Sequence, residues 1–168
     1  LPPGPVYEPF YEQMTAWVLE NRKLPRQEFQ ITSFDGLTLR GKYYEYSPDS
    51  PIEIMMPGYR GIAQRDLCGG VQRCFALGRS ALVVDQRGCG RTYWRNRKAD
   101  PNNDTATFRQ AQQDLDALVD YVRERFGKDQ VILMGHSYGT MLGSKYALTH
   151  PEKVAAYIGV GQVVNLDS

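Results

Sequence analysis

The sequence is poor in cysteine and histidine, and it has no long hydrophobic run. Its 168 residues include three cysteines, Cys68, Cys74 and Cys89, and only two histidines. Three scattered cysteines are too few for a disulfide framework, and no Cys/His cluster has the spacing of metal ligands. We therefore expect free thiols in a reducing cytoplasm, and neither a metal nor another cofactor.

Charge and hydropathy limit the partners further. The 20 Lys and Arg residues nearly balance the 19 Asp and Glu residues, which leaves a formal charge of +1. This balance favours neither nucleic acid nor an anionic membrane as a partner. No stretch approaches the ~20 apolar residues of a membrane span. Residues 1–5 lack the features of a signal peptide, and the missing initiator Met indicates a processed, trimmed or engineered chain.

The pattern divides the chain into two parts. Residues 1–26 are predicted to be a Pro-rich segment and a helix, which ends before Pro25. Residues 27–168 are predicted to form a core that opens with a β-hairpin, because Asp35-Gly36 separates two runs of alternating polarity. The two hairpin strands are predicted at 27–33 and 38–46.

From residue 52 onward, short apolar runs alternate with helical patterns. The predicted strands are 52–56, 81–84, 131–134 and 155–160. The predicted helices are 66–77, 107–126 and 138–149. Continuous apolar strands that alternate with helices are typical of a parallel sheet covered on both faces. The sequence therefore predicts an α/β fold: a mostly parallel sheet, helices on both faces and an antiparallel hairpin at one edge.

Two groups of charged residues are interpreted as solvent-facing. One is the basic and aromatic stretch 87–98, predicted to be a loop in which Arg87 pairs with nearby acids. Its glycine spacing does not match the GxGxxG pattern of dinucleotide sites. The other group is Asp114, Asp116 and Asp120, on a helix whose opposite face is core. Neither group is taken to bind a ligand.

The segment Gly135-His136-Ser137-Tyr138-Gly139 joins a predicted strand directly to a predicted helix. In so sharp a turn the serine adopts a strained backbone conformation, and its hydroxyl projects outward. Larger side chains two positions before and after the serine would collide, so glycine is needed at both places. We expect Ser137 to be a catalytic nucleophile at the positive end of a helix.

An oxyanion formed at such a serine needs two backbone N–H donors. One is expected from the residue after the serine, Tyr138. The other is expected from the loop that follows the strand 52–56, where Tyr59 comes after the flexible Gly58. The backbone N–H groups of Tyr59 and Tyr138 are thus the predicted oxyanion hole.

Three motifs in this order resemble one known family. They are Asp85-Gln86-Arg87-Gly88-Cys89-Gly90-Arg91-Thr92, then the pentapeptide around Ser137, then His150-Pro151-Glu152-Lys153-Val154. Together they resemble the prolyl aminopeptidase branch of the α/β-hydrolases, over about residues 85–165. The front of the chain is similar to α/β-hydrolases in general. Those peptidases usually carry His-Gly-Gly-Pro-Gly after the third strand, where this sequence has Pro57-Gly58-Tyr59-Arg60-Gly61.

The resemblance also implies parts that this sequence does not contain. Such enzymes continue with a helical cap, two more strands, an acid and a histidine, so we expect an incomplete core truncated after its sixth strand. His136 is the direct neighbour of the serine and should point away from its hydroxyl. His150 lies thirteen helical positions on, about 20 Å away, beyond the ~3 Å reach of a general base. Asp167, after the last strand, is a candidate acid with no histidine to orient.

Two hypotheses follow. The first is a serine hydrolase that cleaves small ester or peptide substrates through an acyl-serine intermediate, with acid and base absent or supplied by another chain. The second is a non-catalytic α/β scaffold, truncated, chimeric or designed. In either case the strand 155–160 presents an unpaired apolar edge, so homo-association is expected there.

Overall fold

The computed structural model describes residues 8–58 and 69–164, in which a helix and a hairpin precede alternating strands and helices. The helices are α1 (Glu8–Lys23), α2 (Gly70–Ala76), α3 (Gly90–Asn96), α4 (Phe108–Phe126) and α5 (Tyr138–Thr149). The strands are β1 (Gln27–Thr32), β2 (Thr38–Tyr44), β3 (Ile52–Met56), β4 (Ser80–Asp85), β5 (Val131–His136) and β6 (Val154–Val160). A 3₁₀ turn, Pro151–Lys153, connects α5 to β6.

The six strands form one mixed sheet in the order β1-β2-β4-β3-β5-β6. β1 pairs antiparallel with β2, and β2 pairs antiparallel with β4. The pairs β3–β4, β3–β5 and β5–β6 are all parallel. The predicted α/β class, the mostly parallel sheet and the antiparallel hairpin at one edge are confirmed.

The hairpin turn forms where the Asp-Gly pair predicts it. The Ser33 N–H donates to the Leu37 carbonyl oxygen at 2.7 Å, and the Gly36 N–H donates back to the Ser33 carbonyl oxygen at 3.0 Å. Gly36 has φ +86°, a left-handed conformation that costs glycine little. A Cβ there would contact nothing, so the backbone angle alone requires the glycine.

The two faces of the sheet bury separate hydrophobic clusters, as expected for strands that are apolar along their whole length. On one face, alternate residues of the strands pack against α4 and α5, with Leu118, Val119 and Tyr146 almost fully buried. On the other face, Met55 and Met134 pack with α2. The central strands β3 and β4 are buried at every position. Helices therefore cover both faces, as predicted.

The helix α4 begins and ends as its sequence predicts. The Thr107 side chain accepts a hydrogen bond from the Gln110 N–H and caps the first turn. Gly127 ends the helix in a left-handed conformation with φ +60°. The predicted helix 66–77 is present as α2 from Gly70, while residues 66–68 lie outside the described part of the chain.

The stretch 87–98 is not a loop throughout, because residues 90–96 form α3. Its later basic residues Arg95, Arg97 and Lys98 are exposed, as expected. The Asp85 carboxylate accepts a hydrogen bond from the Arg91 N–H in the first turn of α3 at 3.0 Å. On β2, the Arg40 N–H donates to the Thr92 hydroxyl of α3 at 3.0 Å. Thr92 of α3 thus accepts a hydrogen bond from a β2 backbone N–H.

The prediction that Asp114 faces solvent is wrong. Asp114 is only 5% exposed and lies under the loop that follows β4. Its two carboxylate oxygens accept hydrogen bonds from Arg87 Nε at 2.8 Å and Nη2 at 2.6 Å, and the Ser33 hydroxyl donates to it as well. A buried carboxylate needs such partners, and Arg87 supplies the opposite charge. Asp120 remains half exposed, whereas Asp116 is partly covered.

Candidate active site

The carboxyl ends of the parallel strands meet at one edge of the sheet. β3 ends at Met56, β4 at Asp85, β5 at His136 and β6 at Val160. In open α/β sheets ligands bind outside the carboxyl ends of the strands. The segments that follow these four ends therefore define the candidate site, and Ser137 lies among them.

Ser137 has a strained backbone between β5 and α5. Its φ is 49° and its ψ is −117°, a combination that non-glycine residues seldom adopt. Within residues 8–58 and 69–164, only Ser137 and Asn103 have a positive φ without being glycine. Such a conformation costs about 1–3 kcal/mol and persists only where the surroundings enforce it.

The flanking glycines allow α5 to lie directly against the strands. A Cβ on Gly135 would lie 2.7 Å from the Thr140 backbone nitrogen, and it would overlap the Gly139 carbonyl. A Cβ on Gly139 would overlap the Met56 carbonyl and lie 2.8 Å from the Pro57 carbonyl oxygen. In both cases the obstacle is backbone, which cannot move aside as a flexible side chain can.

Hydrogen bonds fix the Ser137 backbone on both sides. Its N–H donates to the Val160 carbonyl oxygen at 2.9 Å, so this amide is already engaged. Its carbonyl oxygen accepts from the Thr140 N–H at 2.9 Å and from the Thr140 hydroxyl at 2.6 Å. Tyr138 is the first residue of α5, and its N–H therefore has no carbonyl one turn earlier in the helix. This is the amide that the sequence nominates as an oxyanion donor.

The second predicted donor, Tyr59, lies outside the described residues, and so does the candidate acid Asp167. The two residues before Tyr59 are described and lie close to Ser137. A Cβ on Gly58 would lie 3.2 Å from the Ser137 Cβ. The Gln86 side-chain amide donates to the Pro57 carbonyl oxygen at 3.1 Å, which connects the end of β4 to this loop.

Neither histidine hydrogen-bonds to the Ser137 hydroxyl. The His136 Nδ1 atom is buried without a hydrogen-bond partner, 3.2 Å from where a Cβ on Gly58 would lie. His150 lies at the opposite end of α5, and its ring stacks on Tyr146 with 4.3 Å between the centroids. Its Nδ1 lies 2.9 Å from the Thr149 hydroxyl. As expected from the sequence, His150 ends its helix and is not a base for Ser137.

A buried ion-pair network supports the loop between β4 and α3. The Arg87 guanidinium is 3% exposed, and it holds Asp114 and Asp35 with two hydrogen bonds each. The hydrogen bond from Arg87, opposed by desolvation, keeps the pKa of the Asp35 carboxyl below its usual range. Burial lowers the pKa of Arg87, but its bonds to Asp114 and Asp35 outweigh burial and raise it. Arg87 therefore pairs with acids, as predicted, but these lie 52 and 27 residues away in sequence and not in its own loop.

A cavity of about 330 Å³ opens beside Tyr138, between the loop after β4 and the start of α4. Its lining includes Gln86, Arg87, Cys89, Thr107, Ala111 and Tyr138. Burial raises the pKa of the Cys89 thiol and of the Tyr138 hydroxyl. The raised pKa values favour the neutral form of both groups. The cavity thus lies beside the residue that follows Ser137 in the chain.

Two residues at the site, Gln86 and Thr140, were not among the predicted site residues. Gln86 directly follows a buried strand and lies within the first of the three motifs, but the sequence gave it no role. Thr140 lies in the first turn of α5, three residues after Ser137, where a threonine hydroxyl can bond back to the backbone. Both side chains bond to backbone groups, which residue type and spacing do not reveal.

The sheet order and the strand–serine–helix turn define the class of protein. This geometry is the one in which α/β-hydrolases hold their nucleophile. A family model described as alpha/beta hydrolase fold matches residues 54–168. The chain belongs to the α/β-hydrolase fold family.

Individual relatives fall within the same family. The polyketide transferase grgF of Penicillium sp is 30% identical over 144 residues, which cover 84% of this chain and 47% of that protein. The proline iminopeptidase of Heyndrickxia coagulans is 32% identical over 120 residues, 70% of this chain and 36% of that protein. The chain thus spans less than half the length of these curated relatives. The resemblance to prolyl aminopeptidases is confirmed.

Solved structures agree with the fold. The α/β hydrolase GrgF from Penicillium sp. sh18 superposes with a TM-score of 0.66 and 29% identity, over 81% of this chain and 45% of that chain. A thermostable carboxyl esterase from Bacillus coagulans gives a TM-score of 0.66 at 21% identity, over 82% and 44%, and shows the fold alone. Within the described residues, no helix is both long and apolar enough to cross a membrane.

Proposed function

We propose that the chain carries the nucleophile of a serine hydrolase, and that Ser137 is this nucleophile. The observation that supports the proposal most is the strained Ser137 backbone between two glycines, at each of which a Cβ would overlap backbone atoms. Strain of this kind is retained where it presents a reactive group. The start of α5 adds a positive dipole end beside the hydroxyl.

In the proposed reaction, Ser137 Oγ attacks the carbonyl carbon of an ester or amide. The negative charge that develops on the carbonyl oxygen is stabilised by the N–H groups of Tyr138 and Tyr59. The tetrahedral intermediate collapses and expels the alcohol or amine, which takes up a proton. Water then hydrolyses the acyl-Ser137 ester and releases the acid. Small esters and peptides are the proposed substrates, because proline iminopeptidases are among the relatives.

The proton of Ser137 needs an acceptor, and neither histidine of this chain is placed to take it. We therefore propose that the base comes from outside these 168 residues, in a longer protein or a second chain. Asp167 remains the candidate acid. Without a base, the serine keeps an ordinary hydroxyl pKa and reacts slowly.

A second candidate function is a non-catalytic scaffold of the same fold. One observation favours it: His150 is stacked on Tyr146 at the far end of α5, and His136 does not contact the Ser137 hydroxyl. A domain of this kind would keep the strained serine and lack the chemistry. The two candidates differ in what an added base achieves.

Hydrolysis of p-nitrophenyl acetate, measured with and without added imidazole, distinguishes the two. If the chain is a hydrolase that lacks only its base, then in imidazole the wild-type chain should hydrolyse the ester at least ten times faster than the Ser137→Ala variant. Ser144→Ala, a matched change on the same helix, keeps the wild-type response. Equal rates for the wild type and Ser137→Ala at every imidazole concentration would support the scaffold and refute the hydrolase.

A further inference from the structure

The backbone of Ser137 is tied to the segment that follows β6, and Thr140 makes the connection. Thr140 is completely buried in the first turn of α5. Its hydroxyl donates to the Ser137 carbonyl oxygen at 2.6 Å and accepts from the Val163 N–H at 3.0 Å. One hydroxyl can do both, because it has one proton and two lone pairs.

Further contacts hold the same segment against α5. The Ser137 N–H donates to the Val160 carbonyl oxygen at 2.9 Å. The Tyr157 hydroxyl lies 3.1 Å from the Thr140 carbonyl oxygen and 2.7 Å from Gln162 Oε1, and it can donate to either. The end of β6 and the start of α5 are thus connected through several hydrogen bonds.

The chain turns back over the serine immediately after β6. Gly161 has φ +60°, a left-handed conformation, and a Cβ on it would lie 4.0 Å from the Ser137 nitrogen. The turn brings Val163 to the Thr140 hydroxyl. Residues 161–163 therefore run beside Ser137.

We propose that Thr140 is a positioning residue for Ser137, and that residues 161–163, held by Thr140, form one wall of the reactive site. The inference rests on the proposed function, in which Ser137 reacts with the substrate. The strained φ of Ser137 must be enforced by its surroundings. Thr140 enforces it from two directions, since it bonds to the Ser137 carbonyl and anchors the segment whose Val160 carbonyl holds the Ser137 N–H.

Threonine-to-valine substitutions test this role with little change in side-chain shape. Thr140→Val removes the hydroxyl, so the partly buried Val163 N–H loses its acceptor. Thr140→Ser keeps the hydroxyl. Thr149→Val is the matched control, since the Thr149 hydroxyl bonds only near the far end of α5, to the Lys145 carbonyl at 3.0 Å among others.

Amide hydrogen exchange, followed by NMR on the full chain, gives a result that does not depend on activity. In Thr140→Val the amides of Ser137 and Val163 are expected to exchange at least tenfold faster, while the amide of Ile54 in the sheet core stays unchanged. Thr140→Ser and Thr149→Val should remain within threefold of the wild type. An unchanged Ser137 amide in Thr140→Val, or no rescue by Thr140→Ser, would overturn the proposal.

Should Thr140→Val fail to fold, Tyr157→Phe loosens the same segment through a different contact, because the Tyr157 hydroxyl bonds to the Thr140 carbonyl oxygen or to Gln162. It is expected to speed exchange at Val163 at least threefold, and an unchanged rate would contradict the proposal. Fluorophosphonate labelling of the Thr140 variants adds a functional comparison. We expect Ser137 to be labelled at least tenfold more slowly in Thr140→Val than in the wild type, and Thr140→Ser to restore the wild-type labelling rate. If the wild type is not labelled, the proposed hydrolase fails, while the exchange rates still decide the role of Thr140.

Discussion

Replacing Arg87 is expected to cost a large part of the stability of the fold. Its guanidinium is 3% exposed and makes two hydrogen bonds to each of two carboxylates, Asp114 and Asp35. The change Arg87→Met keeps the apolar stem and removes the charge. Asp114, whose side chain is 8% exposed, is then left as a buried carboxylate without its cation.

Breaking a buried ion pair on one side costs about 3–5 kcal/mol, because the remaining charge stays desolvated. For a chain of this size such a loss lowers Tm by about 6–20 °C. The control is Arg40→Met. The Arg40 side chain is 34% exposed and pairs with Glu28 at 3.4 Å. An exposed pair of this kind contributes about 0–1 kcal/mol.

The cost of Arg87→Met should also depend on pH. In the wild type the pKa of Asp35 is lowered by its hydrogen bond to Arg87. This contribution to stability is present above the unfolded pKa of about 3.9 and is lost as the pH falls through the folded pKa. Arg87→Met has no such contribution to lose, so the difference in stability between the two proteins should narrow as Asp35 of the wild type is protonated.

Urea denaturation at about pH 7, 5 and 3 measures this difference as a free energy of unfolding. The expected result is a gap of about 3–5 kcal/mol at pH 7 that changes little at pH 5 and shrinks toward pH 3. The reasoning is refuted if Arg87→Met loses no more than Arg40→Met at pH 7, or if the gap widens in acid.

Three further predictions follow from the packing. Gly139→Ala should lose about 2 kcal/mol of unfolding free energy, since its Cβ would overlap backbone at the end of β3. Gly143→Ala should lose less in urea denaturation, because its Cβ meets only side chains, those of Met56 and Tyr157. Equal losses would contradict this prediction. Tyr146→Phe removes the 2.6 Å hydrogen bond to Asp116 and should cost about 1–2 kcal/mol at pH 7. Burial raises the pKa of Asp116, but its hydrogen bonds to Lys153 and Tyr146 outweigh burial and lower it. The stability cost of Tyr146→Phe should therefore fall as Asp116 is protonated in acid. A constant cost from pH 7 to 3 would contradict this prediction. The chain should self-associate through the edge of β6, where Val160 is 44% exposed, as light scattering would detect; a monomer at high concentration would argue against it.

The sheet and its strongest helices were predictable because local pattern and tertiary environment agree. Continuous apolar runs predicted β3, β4 and β5, and all three are buried in the centre of the sheet. Thr107 and Gly127 marked the ends of α4 correctly. The division at residue 26 into an N-terminal segment and a core remains a prediction.

The missed features depend on contacts between residues far apart in sequence or on backbone atoms. α3 begins at Gly90, a poor helix former, and its first turn donates a hydrogen bond to the Asp85 carboxylate. Asp114 lies three positions after Ala111 and four before Leu118, on the core face of α4, where its charge suggested solvent. Its partner Arg87 is 27 residues away, so helical periodicity could not identify the pairing.

Some residues of the candidate site could likewise be predicted from the sequence, and others could not. Pentapeptide spacing and the strand–helix context were enough to nominate Ser137, Gly135 and Gly139, because steric limits at the turn act locally. The roles of Thr140 and of the segment after β6 depend on where β6 lies relative to α5, which only the folded sheet determines.

Fluorophosphonate labelling of the purified, folded chain tests the central claim most directly, with intact mass and peptide mapping as the readout. We expect one adduct on Ser137, formed faster when imidazole is added, absent in Ser137→Ala and retained in Ser144→Ala. A cooperatively folded wild-type chain that takes up no label, with or without imidazole, would show that the strained serine is not a nucleophile in this domain.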